Sequence, residues 1–386
     1  MITMTKQSIH NYEQRLLRAK RSIKPLRNGE ITLQFLDHLS ALGLSVGRVA
    51  KYATHLPVLL RVIDVDLQAI TKTDVEVIVS AINNSKQTAW TKHDKKLVLR
   101  KLVQYAKTGN CTKDTPMPDE VSWIKLAVNE KDTQLNPENL LTQEEIITII
   151  KATTNKRDRA ILYVLFEAAL QPSELLTMSI GSVEFKENYC IITVNGRTGL
   201  KHIPLIVSNK PLLEWIQEHP NQNQPETPLW CTLTNNHVGE QLSYSHFRLM
   251  LKRLIQSAGI NKDICPSLCR YTSLMAMAKV FTKCQLDQFA GTHSSKMTRQ
   301  HVRSSAEDLE AAILELHGIK TAATKDVGIV KLVECPRCSC ENPLGNIRCA
   351  TCGMIIDKEV ALKFEETQKQ QETNLQKQKY KPNKEP

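Results

Sequence analysis

Apolar residues recur at three-and-four spacing from His10 to about Gly109, the period of helices with one buried face. Ile31 to Leu39 and Val75 to Ile82 show it most clearly, and Val46 to Val62 follows it with a break or kink expected at Pro57. Four or five short helices are predicted here. Gly43-Leu44-Ser45 reads as a helix stop followed by the N-cap of the next helix, and Thr73 is the candidate cap for the helix after Thr71. Pro116, Pro118 and Pro137 then punctuate a polar stretch, which places a linker and the first domain boundary between Gly109 and Leu140. Helices resume at Thr142, with Glu145 three residues on in a capping-box arrangement, and continue to Met178.

Between Gly181 and Val207 the period drops to two. Cys190 to Val194 and His202 to Ile206 read as strands, with Asn195-Gly196 as a hairpin-type turn, so a small antiparallel sheet is expected inside a helical domain. Helical patterns return from Pro211, from Tyr244 to Ala258, from Cys269 to Val280 and from Ala306 to Leu316. From Lys358 onward the chain is rich in Lys, Glu, Gln, Thr and Asn, which predicts either a short exposed helix or a disordered tail.

Length and charge narrow the reading. A chain of 386 residues has room for two or three domains. Its 51 Lys+Arg against 40 Asp+Glu give a net charge of +11, which favours a polyanionic partner, nucleic acid first. Lysines and arginines crowd Lys86 to Lys107, interleaved with Trp90, Leu97, Val98, Leu102 and Val103. Such a face is either simply solvated or able to neutralise phosphates. No window approaches eighteen uninterrupted apolar residues and Met1 to Lys24 has no apolar leader, so a soluble intracellular protein without a membrane role is expected.

Seven of the eleven cysteines are scattered, whereas Cys335-Pro-Arg-Cys338 and Cys349-Ala-Thr-Cys352 form two knuckles. That pattern fits reduced thiols and one tetrahedral site better than a disulfide framework. The expected ligands of a structural Zn²⁺ are Cys335, Cys338, Cys349 and Cys352, with Cys340 left over as a spare thiol. Four thiolates close the coordination sphere, so no catalytic role is expected of the metal.

A family resemblance covers residues 10 to 320. It rests on Arg157-Asp158-Arg159-Ala160, Ala169 to Leu176, Gly196-Arg197-Thr198-Gly199, Pro266-Ser267-Leu268-Cys269-Arg270 and the stretch from Gly291 to Val302. In order and spacing these are similar to the tyrosine recombinases, most of all their archaeal integrase-like branch. The resemblance implies a mainly α (α+β) fold: a helical core-binding, SAM-like domain over 1–112, a linker over 113–140 and a catalytic-like domain with a small antiparallel sheet over 141–322. A zinc ribbon over 333–356 and a charged tail over 357–386, disordered or helical, complete the expected organisation.

In that family a tyrosine attacks the phosphodiester, two arginines hold the non-bridging oxygens, and a hairpin lysine and histidines manage protons. Here Gln171 stands where the first arginine is usual, with the acidic Glu174 of the same motif retained. Arg197 replaces the hairpin lysine and, with its higher pKa, is a poorer proton donor. Ser267 replaces a histidine, Arg270 is the retained second arginine, and Thr292 replaces a histidine or tryptophan, with His293 one step on. The nucleophile position aligns with His301 when Ser295-Lys296-Met297 is the anchor. Tyr271, Tyr244 and Tyr189 are the tyrosines that could stand in for it.

The resulting expectation is a pseudoenzyme: a cytoplasmic, nucleoid-associated protein that binds double-stranded DNA, alone as a homo-oligomer or mixed with an active recombinase. Lys92, Lys96, Arg100, Lys201, Lys252, Arg253, Lys296 and Arg299 are the candidate phosphate contacts. Two alternatives stand beside it, an active integrase with an unusual nucleophile and a protein-docking adaptor on the same scaffold.

Overall fold

Asn11 opens the first described helix by accepting the N–H of Gln14 at 3.1 Å, a cap that fixes where the chain begins to fold. The structure is a computed structural model and describes residues 9–128, 139–196, 199–234, 237–291 and 330–379. Two units divide the chain, His10–Leu135 and a larger one formed by Met1–Ile9 with Asn136–Pro386.

The smaller unit contains α1 (Tyr12–Ile23), α2 (Gly29–Ala41), α3 (Val46–Leu60), α4 (Lys72–Asn84), α5 (Ala89–Thr108) and α6 (Asp119–Ser122). Phe35, Leu36, Leu39, Leu56, Leu67, Leu99 and Leu102 are fully buried at its centre, the residues that the three-and-four spacing singles out. Three local expectations change. Pro57 lies inside α3, which runs on to Leu60 without a break, because Leu56, Leu59 and Leu60 hold both sides of the proline in the core. The cap of α4 is Thr71, not Thr73: its hydroxyl accepts the Asp74 N–H at 3.3 Å while Asp74 accepts the Thr71 N–H at 2.9 Å. Within the expected linker, Val121 and Ile124 are buried in this core and Gln104 donates to Thr115 O at 2.8 Å.

In the larger unit come α7 (Gln143–Lys151), α8 (Lys156–Ala168) and α9 (Pro172–Leu176), then β1 (Val183–Phe185), β2 (Cys190–Gly196) and β3 (Gly199–Leu205). They are followed by α10 (Asn209–Gln217), α11 (Tyr244–Ser257), α12 (Pro266–Met277) and α13 (Lys283–Ala290). The capping box expected at Thr142 and Glu145 is present. Every residue of α8 from Ala160 to Phe166 is fully buried, as a helix apolar on all faces must be, so α8 is the central helix. The sheet is antiparallel in the order β1-β2-β3. Its pairing continues through Asn195↔Leu200 and Gly196↔Gly199, so Asn195 and Gly196 are strand residues rather than a turn. Glu167, at the end of α8, accepts the N–H groups of Ile206 at 2.7 Å, Val207 at 3.0 Å and Ser208 at 2.7 Å. One carboxylate thereby ties the end of β3 and the start of α10 to the central helix.

Beyond residue 329 the strands β4 (Leu332–Glu334) and β5 (Glu341–Pro343) pair antiparallel, and α14 (Lys358–Lys379) follows. The tail is thus helical, in keeping with its Lys, Glu and Gln. Its start is fixed by Asp357, which accepts the N–H groups of Glu359 at 3.0 Å and Val360 at 3.2 Å. The helix expected from Ala306 to Leu316 lies outside the described residues. Among the described residues no helix is long and apolar enough to cross a membrane.

Candidate active site and metal centre

The candidate active site forms where the central helix ends. Ala169 takes a left-handed conformation with φ 47°, uncommon for a residue with a Cβ, and this sharp turn sends the chain into α9. Gln171 caps α9, and its N–H donates to Glu174 Oε2 at 2.8 Å. The carboxylate is 2% exposed and meets two cations. Lys201 Nζ, reaching in from β3, lies 2.8 Å from Oε1, and Arg270 Nη1, from α12, lies 3.6 Å from Oε2.

Arg270 is further committed to the backbone. Its Nη1 donates to Ala169 O and its Nη2 to Ala290 O at 2.6 Å. The guanidinium therefore staples the end of α8 to the end of α13. Two glycines frame the cluster: a Cβ on Gly196 would stand 2.9 Å from Glu174 Oε1, and one on Gly291 would stand 3.0 Å from Lys201 Cδ. Burial pulls the Lys201 pKa below the usual lysine value, with Glu174 opposing that shift and Arg270 adding to it.

Lys201, a candidate phosphate contact, is 7% exposed and ion-paired inside the domain. The signal was present in the alternation of β3, because Lys201, Ile203 and Leu205 share the inward face. Of the other site positions, Gln171 is half-buried and Ser267 is exposed on the first turn of α12. Arg197, Thr292, His293, Lys296, Arg299 and His301 lie outside the described residues. Among the tyrosines, Tyr271 and Tyr244 are half-buried, on α12 and α11, and Tyr189 is exposed between β1 and β2.

Lys252 and Arg253 are exposed on α11. In the smaller unit, Lys92 and Lys96 are half-buried on α5, and Lys92 Nζ donates to Asn83 O at 2.7 Å. Arg100, half-buried on the same helix, donates to Ile124 O at 3.4 Å.

The four predicted ligands do come together. Cys335, Cys338, Cys349 and Cys352 place all four Sγ atoms within 4.8 Å of one another, with 3.6 Å between Cys335 and Cys352 and between Cys338 and Cys349. Tetrahedral Zn–S bonds of about 2.3 Å require sulfurs roughly 3.8 Å apart, so the spacing suits a metal. Fully buried Asn342 braces the cluster, donating to Cys349 Sγ at 3.5 Å and to Cys340 O at 2.8 Å.

The mainly helical domain with its embedded three-stranded antiparallel sheet matches the fold of solved tyrosine recombinases. Residues 139–307 match the sequence model of the phage integrase family. A tyrosine recombinase of Synechococcus elongatus is 26% identical over 224 residues, 56% of this chain and 68% of that protein. The tyrosine recombinase XerA of Saccharolobus solfataricus is 20% identical over 304 residues, 78% of this chain and 97% of that protein. A Synechocystis relative, 26% identical, is matched over only 56% of its length. Of solved structures, XerH bound to palindromic difH substrate aligns with TM-score 0.56 and 15% identity, covering 81% of this chain and 98% of that one. A lambda integrase dimer bound to a COC' core site aligns with TM-score 0.57 and 14% identity, covering 72% and 78%. Residues 139–307 thus carry a phage integrase family domain, and the chain is similar to the tyrosine recombinases.

Proposed function

We propose that the protein binds double-stranded DNA on a tyrosine recombinase scaffold and does not cut it. The observation that carries this reading is the cluster at the candidate active site, whose two cations are engaged by groups of the protein itself. Strand cleavage needs cations aimed at the non-bridging oxygens of a phosphate in the transition state. Arg270, the signature arginine this chain retains, gives N–H groups to Ala169 O and Ala290 O, and Lys201 is neutralised by Glu174. By the resemblance, Gln171 aligns with the other arginine and brings no charge, Ser267 aligns with a histidine and brings no imidazole, and His301 aligns with the nucleophile.

DNA binding is supported by the net charge of +11, the exposed cations Lys252 and Arg253, and the DNA-bound relatives of the same fold. Copies of this chain would assemble on DNA with one another or with an active recombinase, as the lambda integrase dimer and tetramer do with their own kind. The four-cysteine cluster is read as a structural Zn²⁺ site, since four thiolates leave no position for a reacting water. A gel-shift titration against salt tests the binding half of the proposal. Retention at low salt with a steep log–log loss supports it, and no retention of any duplex at low salt refutes it.

A further inference from the structure

The ribbon is fastened to the recombinase domain at several points. Leu344 O accepts the Tyr163 hydroxyl at 2.8 Å, and the Asn346 amide oxygen accepts a hydrogen bond from Arg159, both donors lying on α8. Lys210 on α10 donates to Glu341 O and stands 3.0 Å from Cys340 Sγ. Lys151 on α7 pairs with Asp357, the same carboxylate that caps α14. Val330 is buried in the domain core and Leu332 packs against it. Gly345, with φ +101°, lets the backbone come so near that a Cβ there would stand 3.4 Å from the Tyr163 hydroxyl and 3.6 Å from Ile150.

These contacts lie between the two knuckles or just beyond them, and Asn342 links them to the ligands through its bonds to Cys349 Sγ and the Ala350 N–H. With so few apolar residues of its own, the segment depends on its metal for a fixed shape. We propose that metal loading of the ribbon is coupled to the packing of α7 and α8. With the cysteines ligated, the ribbon is a latch across the central helix; without the metal, the latch and the base of α14 come off together. Such coupling is reciprocal, so weakening the latch weakens metal binding. The inference rests on reading the cysteine cluster as a Zn²⁺ site.

The test uses the full-length protein. Zinc stoichiometry is measured first, then zinc affinity by competition with a chromophoric chelator, for the unaltered protein and for Tyr163→Phe/Arg159→Ala. Those two side chains touch no cysteine ligand, and losing their hydrogen bonds should weaken affinity by about five- to thirtyfold. Hydrogen exchange on the unaltered protein makes the test independent of the variant's folding: removing zinc should speed exchange in α7 and α8 as well as in the ribbon. Unchanged affinity in the variant, or faster exchange confined to the ribbon, overturns the latch while leaving the metal site standing. A protein that takes up no zinc sinks both.

Discussion

Removing the charge of Glu174 should destabilise the recombinase domain more than any conservative surface change. The carboxylate is 2% exposed and is the counter-charge shared by Lys201, at 2.8 Å, and Arg270, at 3.6 Å. Glu174→Gln keeps the volume but leaves two buried cations without a counter-charge, which costs about 3–5 kcal/mol. For a domain of this size that is a fall in Tm of roughly 6–20 °C. Lys201→Met should cost less, because Glu174 then keeps Arg270 as a partner. In the double variant the penalties should not add: with both charges of the pair gone, it should be more stable than the sum of the single losses by about 1–3 kcal/mol. Urea unfolding of zinc-loaded protein followed by circular dichroism measures all four species. Single losses below about 1 kcal/mol that sum within about 0.5 kcal/mol in the double variant would refute the claim that this cluster holds the site together.

Other consequences are open to measurement. Burial lowers the Lys201 pKa from the ordinary 10.5, so the unfolded chain holds that proton to higher pH than the folded one. The stability of the unaltered protein relative to Lys201→Met should therefore rise with pH on approaching 10.5, and a difference that falls over that range would contradict the burial. Replacing the exposed Lys252 and Arg253 by alanine should weaken DNA binding evenly across sequences and lower the log–log salt slope by about one per residue, as read by fluorescence anisotropy. Asn342→Ala, which strips the brace from Cys349, should weaken zinc binding by about 10–100-fold in chelator competition.

The sequence was most legible where the deciding interactions are local. Thr142 and Glu145 cap α7 within one turn, a pairing their spacing alone shows. The knuckles were legible because two-residue spacing itself places the thiols. Errors came where a distant partner decides. A lysine on a strand is ordinarily placed at the surface, and Glu174, from the separate helix α9, gives Lys201 its partner inside. Pro116 and Pro118 marked a linker, but Val121 and Ile124 beyond them join the first core, a tertiary contact that periodicity in so short a segment does not show. The docking of the ribbon on Tyr163 and Lys210 left no local trace, because its acceptors are mostly backbone carbonyls.

The central claim is that this site binds DNA without forming a covalent link. The most direct test mixes full-length, zinc-loaded protein with a nicked duplex carrying its bound site, so that any cleavage is trapped, and separates the products on a denaturing gel. The account predicts a shifted duplex on a native gel and no denaturant-stable adduct. A covalent protein–DNA adduct, with the attached residue mapped to His301 or to any tyrosine, would contradict it.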